Sequence, residues 1–201
     1  MGVIIEAAEQ LLAQAPYTEF NTNRVAERAG VSVGSVYQYF GSKEAIVAEL
    51  RLRAGARMRR DLLDALTRTR GASLEIIIRS LVRAHIATIA QDARLHRVLS
   101  TELCDVGVSP DFEIRAVLTG DLDGPTPLRV HLQALAEDAY GAREGWPVLA
   151  GAWALIRVMT SLALAEERFD LSTDRLSDEI CTAVLLFIER RAADMAGKAE
   201  L

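Results

Sequence analysis

The chain has 201 residues, half of them hydrophobic and a quarter charged, and carries a formal net charge of −5. This composition is ordinary for a soluble globular protein of one domain, or of a small domain and a larger one, with a sizeable core. Cys104 and Cys181 lie far apart without metal-ligand spacing, which argues against a zinc site or a disulfide framework and fits a reducing compartment. We therefore expect a cytoplasmic protein without a bound metal or cofactor.

The charge is unevenly distributed along the chain. Residues 1–60 contain eight Lys or Arg and six Asp or Glu, whereas the remainder contains fifteen and twenty-two. An acidic protein is a poor partner for nucleic acid when its charge is evenly spread, but here the basic excess lies in the N-terminal part. This asymmetry allows a nucleic-acid-binding segment at the N-terminus.

The N-terminal part has the pattern of a helix followed by a helix-turn-helix. Apolar residues at helical spacing predict a first helix over Val3–Gln14, with no basic-then-apolar signal segment. Thr22 can cap a second, short helix that Gly30 ends, and Ser32 can cap a third. Two short helices joined by such a sharp turn are typical of a helix-turn-helix.

The third helix is predicted to have one apolar and one polar face. An advance of about 100° per residue places Val33, Val36 and Phe40 on the hidden side. Gly34, Ser35, Gln38 and Tyr39 lie opposite, with Tyr37 at the rim. Gly34 allows close approach, and Gln38 matches the donor and acceptor of an adenine in the major groove. A structural helical hairpin with its polar face in water is the alternative.

The stretch AGVSVGSVYQYFGSKEAI resembles the DNA-binding segment of the TetR family of bacterial transcriptional regulators, and the resemblance extends from Val3 to about Leu50. It implies an all-α fold of about nine helices, with a three-helix DNA-binding domain over residues 1–45 and a ligand-binding and dimerisation domain over 46–201. It also implies phosphate contacts by Thr22, Ser35, Tyr37, Tyr39 and Lys43, and an approach to bases by Asn23, Val33, Gly34 and Gln38. The sequence starts only a few residues before the first helix and lacks the basic arm that many relatives carry there, which leaves contacts from such an arm open.

A long helix is predicted to follow the helix-turn-helix. Residues 43 to about 70 contain no proline and a single glycine, Gly55, so that the helix would run about 40 Å and connect the two domains. Five arginines without an intervening acidic residue lie within it. They favour a solvated helix face over phosphate contacts, because charged stripes usually face water. The five are Arg51, Arg53, Arg57, Arg59 and Arg60.

The middle of the chain is predicted to contain further helices. Ser73 can cap a helix that ends near Ala90, and another runs over about 92–104. Glycines and prolines interrupt the pattern between Val106 and Pro127, leaving one short helix at about 111–118. A helix over about 128–140 follows.

Two helices are predicted to close the chain, over 146–168 and 174–195. The first is apolar on almost every side and resembles a membrane span, but Arg157 near its middle is costly in lipid and favours burial in protein. A helix that is apolar all round needs more cover than one small domain provides. We therefore expect a homodimer in which these two helices pack against their symmetry mates, as the family resemblance also implies, and no membrane insertion.

A ligand pocket between the long helix and the helices that follow it is implied by the same resemblance. Candidate contacts for a small-molecule effector are His85, Glu102, Phe112, Trp153 and Arg157. Simple packing is the competing interpretation for His85. The Arg157 guanidinium needs an acidic partner, which can come from this chain, from its mate or from a ligand.

The most favoured function is a repressor that a small molecule releases from a palindromic double-stranded operator, with no enzymatic activity. A dimeric DNA-binding adaptor or architectural protein without a ligand is the alternative, and it predicts a filled core where a ligand-binding protein has a cavity of a few hundred cubic ångströms. An enzyme is disfavoured because no nucleophile with a base, paired carboxylates, metal spacing or phosphate-binding loop is found.

Overall fold

The structure is a computed structural model that describes residues 1–99, 127–140, 145–165 and 174–199. These residues form an all-α fold without strands, as predicted. Nine α-helices occur within these ranges, and a short 3-10 turn at Tyr17–Glu19 follows the first of them. The helices are α1 Gly2–Gln14, α2 Thr22–Ala29, α3 Val33–Tyr39, α4 Lys43–Arg68, α5 Leu74–Ala90, α6 Ala93–Arg97, α7 Pro127–Tyr140, α8 Gly145–Ala165 and α9 Asp174–Ala199.

The ends of the short helices are set by local hydrogen bonds. Gly30 ends α2 in the left-handed conformation, with φ 67°, and Ser32 caps α3 by accepting from the backbone N–H of Ser35, both as predicted. The prediction that Thr22 caps α2 was wrong. Asn21 is the cap, because its side-chain oxygen accepts from the N–H of Arg24 at 3.0 Å, and Thr22 is the first helical residue.

Helix α4 connects two hydrophobic cores. Its first half contributes Ile46, Leu50 and Ala54 to a core with α1, α2 and α3, and its second half, from Met58 onward, joins a core with α5, α7, α8 and α9. The helix has 26 residues and therefore spans about 39 Å. Between Ala54 and Met58, α4 passes from the first core to the second. The domain boundary predicted from the sequence, at residue 45, lies before this point and stays a prediction.

The arginines of α4 do not form an unpaired stripe. Arg57 pairs with Glu9 of α1 at 3.1 Å and Arg53 with Glu49 at 2.8 Å. Arg51 is buried and donates from Nη2 to the backbone oxygen of Leu99 at 2.7 Å, so the expectation of a solvated face was wrong for this residue. A buried guanidinium that satisfies a backbone carbonyl fixes the relative position of the two segments it joins.

The first part of the helix predicted over 92–104 lies within the described residues. Helix α6 ends at Arg97, residues 98–99 form a single π-turn, and residues 100–104 lie outside the described residues together with the short helix predicted at 111–118. Leu95, Val98 and Leu99 are buried in the N-terminal core. Helix α6 thus packs against the N-terminal domain although it follows α5 in the chain.

The helices predicted near the end of the chain are present with shifted ends. The one predicted over 146–168 is α8, Gly145–Ala165, and the one predicted over 174–195 is α9, Asp174–Ala199. Among the described residues, Pro147–Ala165 is the single stretch that could cross a membrane by length and composition, with mean hydropathy 1.8 and 39% of its residues buried in this chain. Its inner face packs against α7 and α9.

Candidate DNA-reading helix and ligand cavity

Helix α3 is held by its inner face and leaves its outer face open. Val36 is fully buried and Phe40, just beyond the helix, is 7% exposed, so both anchor the segment in the N-terminal core. Tyr37 and Tyr39 are more than half exposed. The prediction that Val33 belongs to the hidden face was wrong: it is 37% exposed, at the first position of the helix.

The fold brings two of the predicted DNA-contacting residues together. The hydroxyl groups of Thr22 on α2 and Tyr37 on α3 are 3.3 Å apart, which brings the two helices' predicted phosphate contacts together. The Ser35 hydroxyl lies 2.9 Å from that of Ser32. The remaining candidates follow the same pattern: Asn23, Gly34 and Gln38 are exposed, and Lys43 is half-buried at the start of α4.

Lys43 is positioned by an aromatic ring that the sequence analysis did not single out. Its Nζ lies 4.5 Å from the centre of the Tyr17 ring, a cation–π arrangement. The Tyr17 ring stacks on Phe20, which is buried in the core, at a centroid distance of 5.9 Å. The pKa of Tyr17 is raised, first by burial and then by the nearby Glu44 carboxylate, so the phenol remains neutral. No helical periodicity marks Tyr17, because it lies in the loop after α1.

An apolar cavity lies between α4 and the helices of the C-terminal core. We call it the inner cavity; its volume is about 50 Å³, and every described residue that lines it is hydrophobic. Trp153, one of the predicted ligand contacts, is among the residues that line it. The other lining residues include Leu62 of α4, Ile77, Ile78 and Leu81 of α5, Leu132 and Leu135 of α7, Ala152 and Ile156 of α8, and Val184 and Ile188 of α9.

His85 lies beside the inner cavity without being among its lining residues. It is 5% exposed, its Nδ1 lies 3.3 Å from the Met58 sulfur, and its ring meets the Trp153 ring edge-on at a centroid distance of 5.1 Å. Its Nε2 has no hydrogen-bond partner among the described residues. Burial lowers the pKa of His85 to about 3, so the imidazole is uncharged at neutral pH.

Of the other candidate ligand contacts, Arg157 is the one that lies within the described residues. Arg157 is half-buried one turn after Trp153 on α8, and it is not among the described lining residues of the inner cavity. Glu102 and Phe112 lie outside the described residues. Among the residues that the structure does describe, no group of three or more His, Cys, Asp or Glu is placed to hold a metal ion.

The fold and the exposed α3 define a helix-turn-helix DNA-binding protein with a second, all-helical domain. Residues 4–50 match the family model described as bacterial regulatory proteins, tetR family. This segment is therefore similar to the DNA-binding segment of that family, as the sequence resemblance predicted.

Known proteins with similarity beyond this segment include a fatty acid metabolism regulator protein of Bacillus subtilis (strain 168), which is 28% identical over 124 residues. That match covers 60% of this chain and 61% of the relative's length. Two solved structures share the fold over almost the whole chain.

The fatty acid degradation regulator FadR from Bacillus halodurans has a TM-score of 0.70 at 22% identity, covering 92% of this chain and 97% of its own. FadR from Bacillus subtilis, solved in complex with stearoyl-CoA, has a TM-score of 0.68 at 20% identity, covering 91% of this chain and 96% of its own.

Proposed function

We propose that this chain is a dimeric transcriptional repressor that binds a palindromic operator through α3 and leaves it when an apolar, fatty-acyl type of ligand enters the inner cavity. The observation that carries the DNA-binding part is the geometry of α3. Val36 and Phe40 fix the helix in a core, while Gly34, Tyr37 and Gln38 remain open to a major groove. A helix so presented can place its side chains against base edges.

The DNA contacts divide into two kinds. One group of residues approaches base edges: Asn23, Val33, Gly34 and Gln38. A second group contacts phosphates on either side of the groove: Lys43 and the hydroxyl groups of Thr22, Ser35, Tyr37 and Tyr39. Phosphate contacts position the helix, and base contacts select the sequence. Selection of bound duplexes from a random pool tests this part: we expect a palindrome with half-sites about one helical turn, or 34 Å, apart. Recovery of no common sequence would reject it.

Dimerisation through α8 and α9 is supported by apolar residues that this chain leaves uncovered. Val158 and Leu162 of α8 are 50% and 61% exposed, and Leu186 of α9 is 61% exposed. A helix with the hydropathy of α8 is stable in water only when such a face is covered, and a second copy of the same two helices covers it symmetrically. We expect this dimer in the cytoplasm, because the operator DNA that it would bind lies there.

Sedimentation of Leu162→Glu and Leu186→Glu variants tests the dimer. We expect monomers with weakened operator binding, because each half-site contact then acts alone. Val130→Glu is the matched control, since Val130 is 51% exposed on α7, outside the proposed interface. An unchanged dimer mass for both test variants would place the interface elsewhere.

The ligand class is supported by the lining of the inner cavity and by the relatives. A wholly hydrophobic wall offers no hydrogen bond, so only an alkyl chain or a comparably apolar group loses nothing on entering. The Bacillus subtilis FadR was solved with stearoyl-CoA, an acyl thioester of that kind. We expect no enzymatic activity, because the family is one of regulators and the described site holds no arrangement of catalytic groups.

The alternative, an adaptor that binds DNA but no ligand, is favoured by one observation. The inner cavity holds about 50 Å³, well below the few hundred cubic ångströms typical of ligand pockets. On the ligand hypothesis, the helices must move apart to admit an acyl chain. A ligand that binds only this expanded state shifts the protein toward it. DNA binding is weakened if, in that state, the distance between the two α3 helices of the dimer no longer matches the distance between the half-sites. Gel-shift titration of the operator complex with palmitate and palmitoyl-CoA discriminates, because the adaptor is insensitive to both.

A further inference from the structure

A second cavity, whose lining includes polar side chains, lies next to the inner cavity. We call it the outer cleft; it holds about 520 Å³ at the end of α4, between the loop that follows α4 and helix α7. Ile77 and Leu135 line both cavities. Because the two cavities share these wall residues, they are neighbours, and one elongated molecule that displaces the two side chains would reach both.

The outer cleft offers the polar groups that the inner cavity lacks. Arg70 and Asp138 line it with the hydroxyl-bearing side chains of Thr67 and Thr69. Both hydroxyls already donate to backbone oxygens of α4, at 2.8 Å and 2.9 Å, so they face a ligand only as acceptors. The guanidinium of Arg70 is the one cation among the described lining residues, and its planar array of N–H donors matches a carboxylate or phosphate.

The inner cavity itself cannot accept an anion, because every described residue that lines it is hydrophobic. His85, which lies beside the cavity against Trp153, adds no positive charge there, because burial lowers the pKa of its imidazole to about 3. A ligand with one charged end is therefore oriented by the protein.

We propose that the outer cleft binds the anionic head group of an amphiphile whose alkyl chain fills the inner cavity, and that Arg70 pairs with the anion. This inference rests on the proposed apolar-ligand function and adds to it the orientation and the charge of the ligand. The head group is a carboxylate or the phosphates of an acyl-carrier thioester. Asp138, on the facing helix α7, repels either one and limits the affinity.

The test compares palmitate, palmitoyl-CoA and uncharged methyl palmitate by the quenching of tryptophan fluorescence in the full-length protein. Trp153 lines the inner cavity and reports on its occupation by the alkyl chain. We expect Arg70→Gln to weaken the binding of palmitate and palmitoyl-CoA about fivefold and to leave methyl palmitate unchanged. Asp138→Asn should tighten the binding of the two anions. Arg68→Gln is the control, since Arg68 is exposed nearby but does not line the cleft.

The comparison of probes also tells the two sources of the anion apart. An Arg70 effect on palmitate alone identifies a free carboxylate, and an effect on palmitoyl-CoA alone identifies the phosphates; either supports the proposal. Equal weakening of all three probes by Arg70→Gln, or weakening by His85→Gln in its place, would overturn it while leaving the apolar-ligand function intact. If the unaltered protein binds none of the three probes, both the ligand function and this inference are rejected.

Discussion

The ammonium of Lys43, at the start of α4, lies over the ring of Tyr17, 4.5 Å from its centre. A lysine held this way loses less side-chain freedom when it meets a phosphate. Lys43→Gln should weaken binding to all duplexes about equally and reduce the slope of log K against log salt by about one unit per site. Binding titrations at several salt concentrations measure both quantities.

Tyr17 gives the matched pair of variants for this contact. Tyr17→Phe keeps the ring and should leave affinity within about twofold, whereas Tyr17→Leu removes the cation–π contact and should lower affinity by about 0.5–1 kcal/mol. The salt slope should stay unchanged in both, because the charge of Lys43 remains. A Lys43 variant with altered sequence preference and an unchanged salt slope would contradict the assignment.

Gln38 is exposed in the middle of the outer face of α3, where a base edge is the nearest expected partner. Gln38→Ala should therefore relax the preference at one base pair in each half-site, with a loss of about 1–3 kcal/mol for the preferred base. Selection from a random duplex pool before and after the change measures it. Tyr39→Phe, which alters a predicted phosphate contact on the same helix, should leave the selected sequence as it was.

The sequence predicted the helical fold well, because apolar periodicity and caps such as Ser32 are local signals. It failed where the outcome depends on packing between distant segments. Val33 shares the helical phase of Val36 yet is exposed at the start of α3. Arg51 lies in a run of arginines yet is buried, because Leu99, distant in sequence, presents a carbonyl to it. The sizes of the inner cavity and of the outer cleft likewise depend on how α5 and α7 pack against α4.

Gly151 permits the close approach of α8 and α9. A Cβ added there would lie 2.5 Å from Phe187 Cζ and 2.9 Å from its Cε1. Gly151→Ala should therefore lower the free energy of unfolding by about 1–3 kcal/mol, measured by urea denaturation. Phe187→Leu in the same chain should recover part of the loss, and no recovery would contradict the proposed steric cause.

Gly55 on α4 provides the control for the helical propensity of alanine. A Cβ there would meet Arg59 Nη1 at 3.6 Å, an ordinary contact. Gly55→Ala should therefore raise the free energy of unfolding by about 0.5–1 kcal/mol. The change in the free energy of unfolding is thus expected to be negative for Gly151→Ala and positive for Gly55→Ala. Comparing the two separates the cost of the steric clash from the gain in helical propensity.

The buried histidines make stability depend on pH. Burial lowers the pKa of His85 to about 3, and burial with the neighbouring Arg57 lowers that of His96 to about 4. An unfolded imidazole titrates near 6.5, so below that pH the unfolded chain takes up protons that the folded chain does not. Stability should fall as the pH drops from about 6.5, by about 1.4 kcal/mol per histidine for each pH unit, until each folded pKa is reached.

His85→Leu isolates the contribution of one ring. We expect its free energy of unfolding, measured by urea at several pH values between about 7.5 and about 5, to fall less steeply than that of the unaltered chain by about 1.4 kcal/mol per pH unit below about 6.5. His96→Leu should reduce the slope similarly, through a different site. A pH profile of His85→Leu that runs parallel to that of the unaltered chain would show that folding does not lower the pKa of His85.

Helix α6 joins α8, which lines the inner cavity, to the N-terminal core. Arg97 donates from Nε to the backbone oxygen of Leu164 in α8 at 2.7 Å, while Leu95, Val98 and Leu99 lie in the N-terminal core. Because α8 also lines the inner cavity, a shift of α8 on ligand entry pulls α6 through this bond. Arg97→Met should therefore reduce the ligand-induced loss of operator affinity severalfold, while the affinities for operator alone and for palmitoyl-CoA alone stay within about twofold.

The measurement is a thermodynamic cycle: operator affinity with and without palmitoyl-CoA, for the unaltered chain and for Arg97→Met. Arg94→Met is the matched control, because Arg94 is an exposed arginine of the same helix. Reciprocity requires the operator to change ligand affinity by the same factor, which gives an independent check. A coupling free energy that Arg97→Met and Arg94→Met leave equally unchanged would place the transmission along α4 alone, through the continuous helix between the two cores.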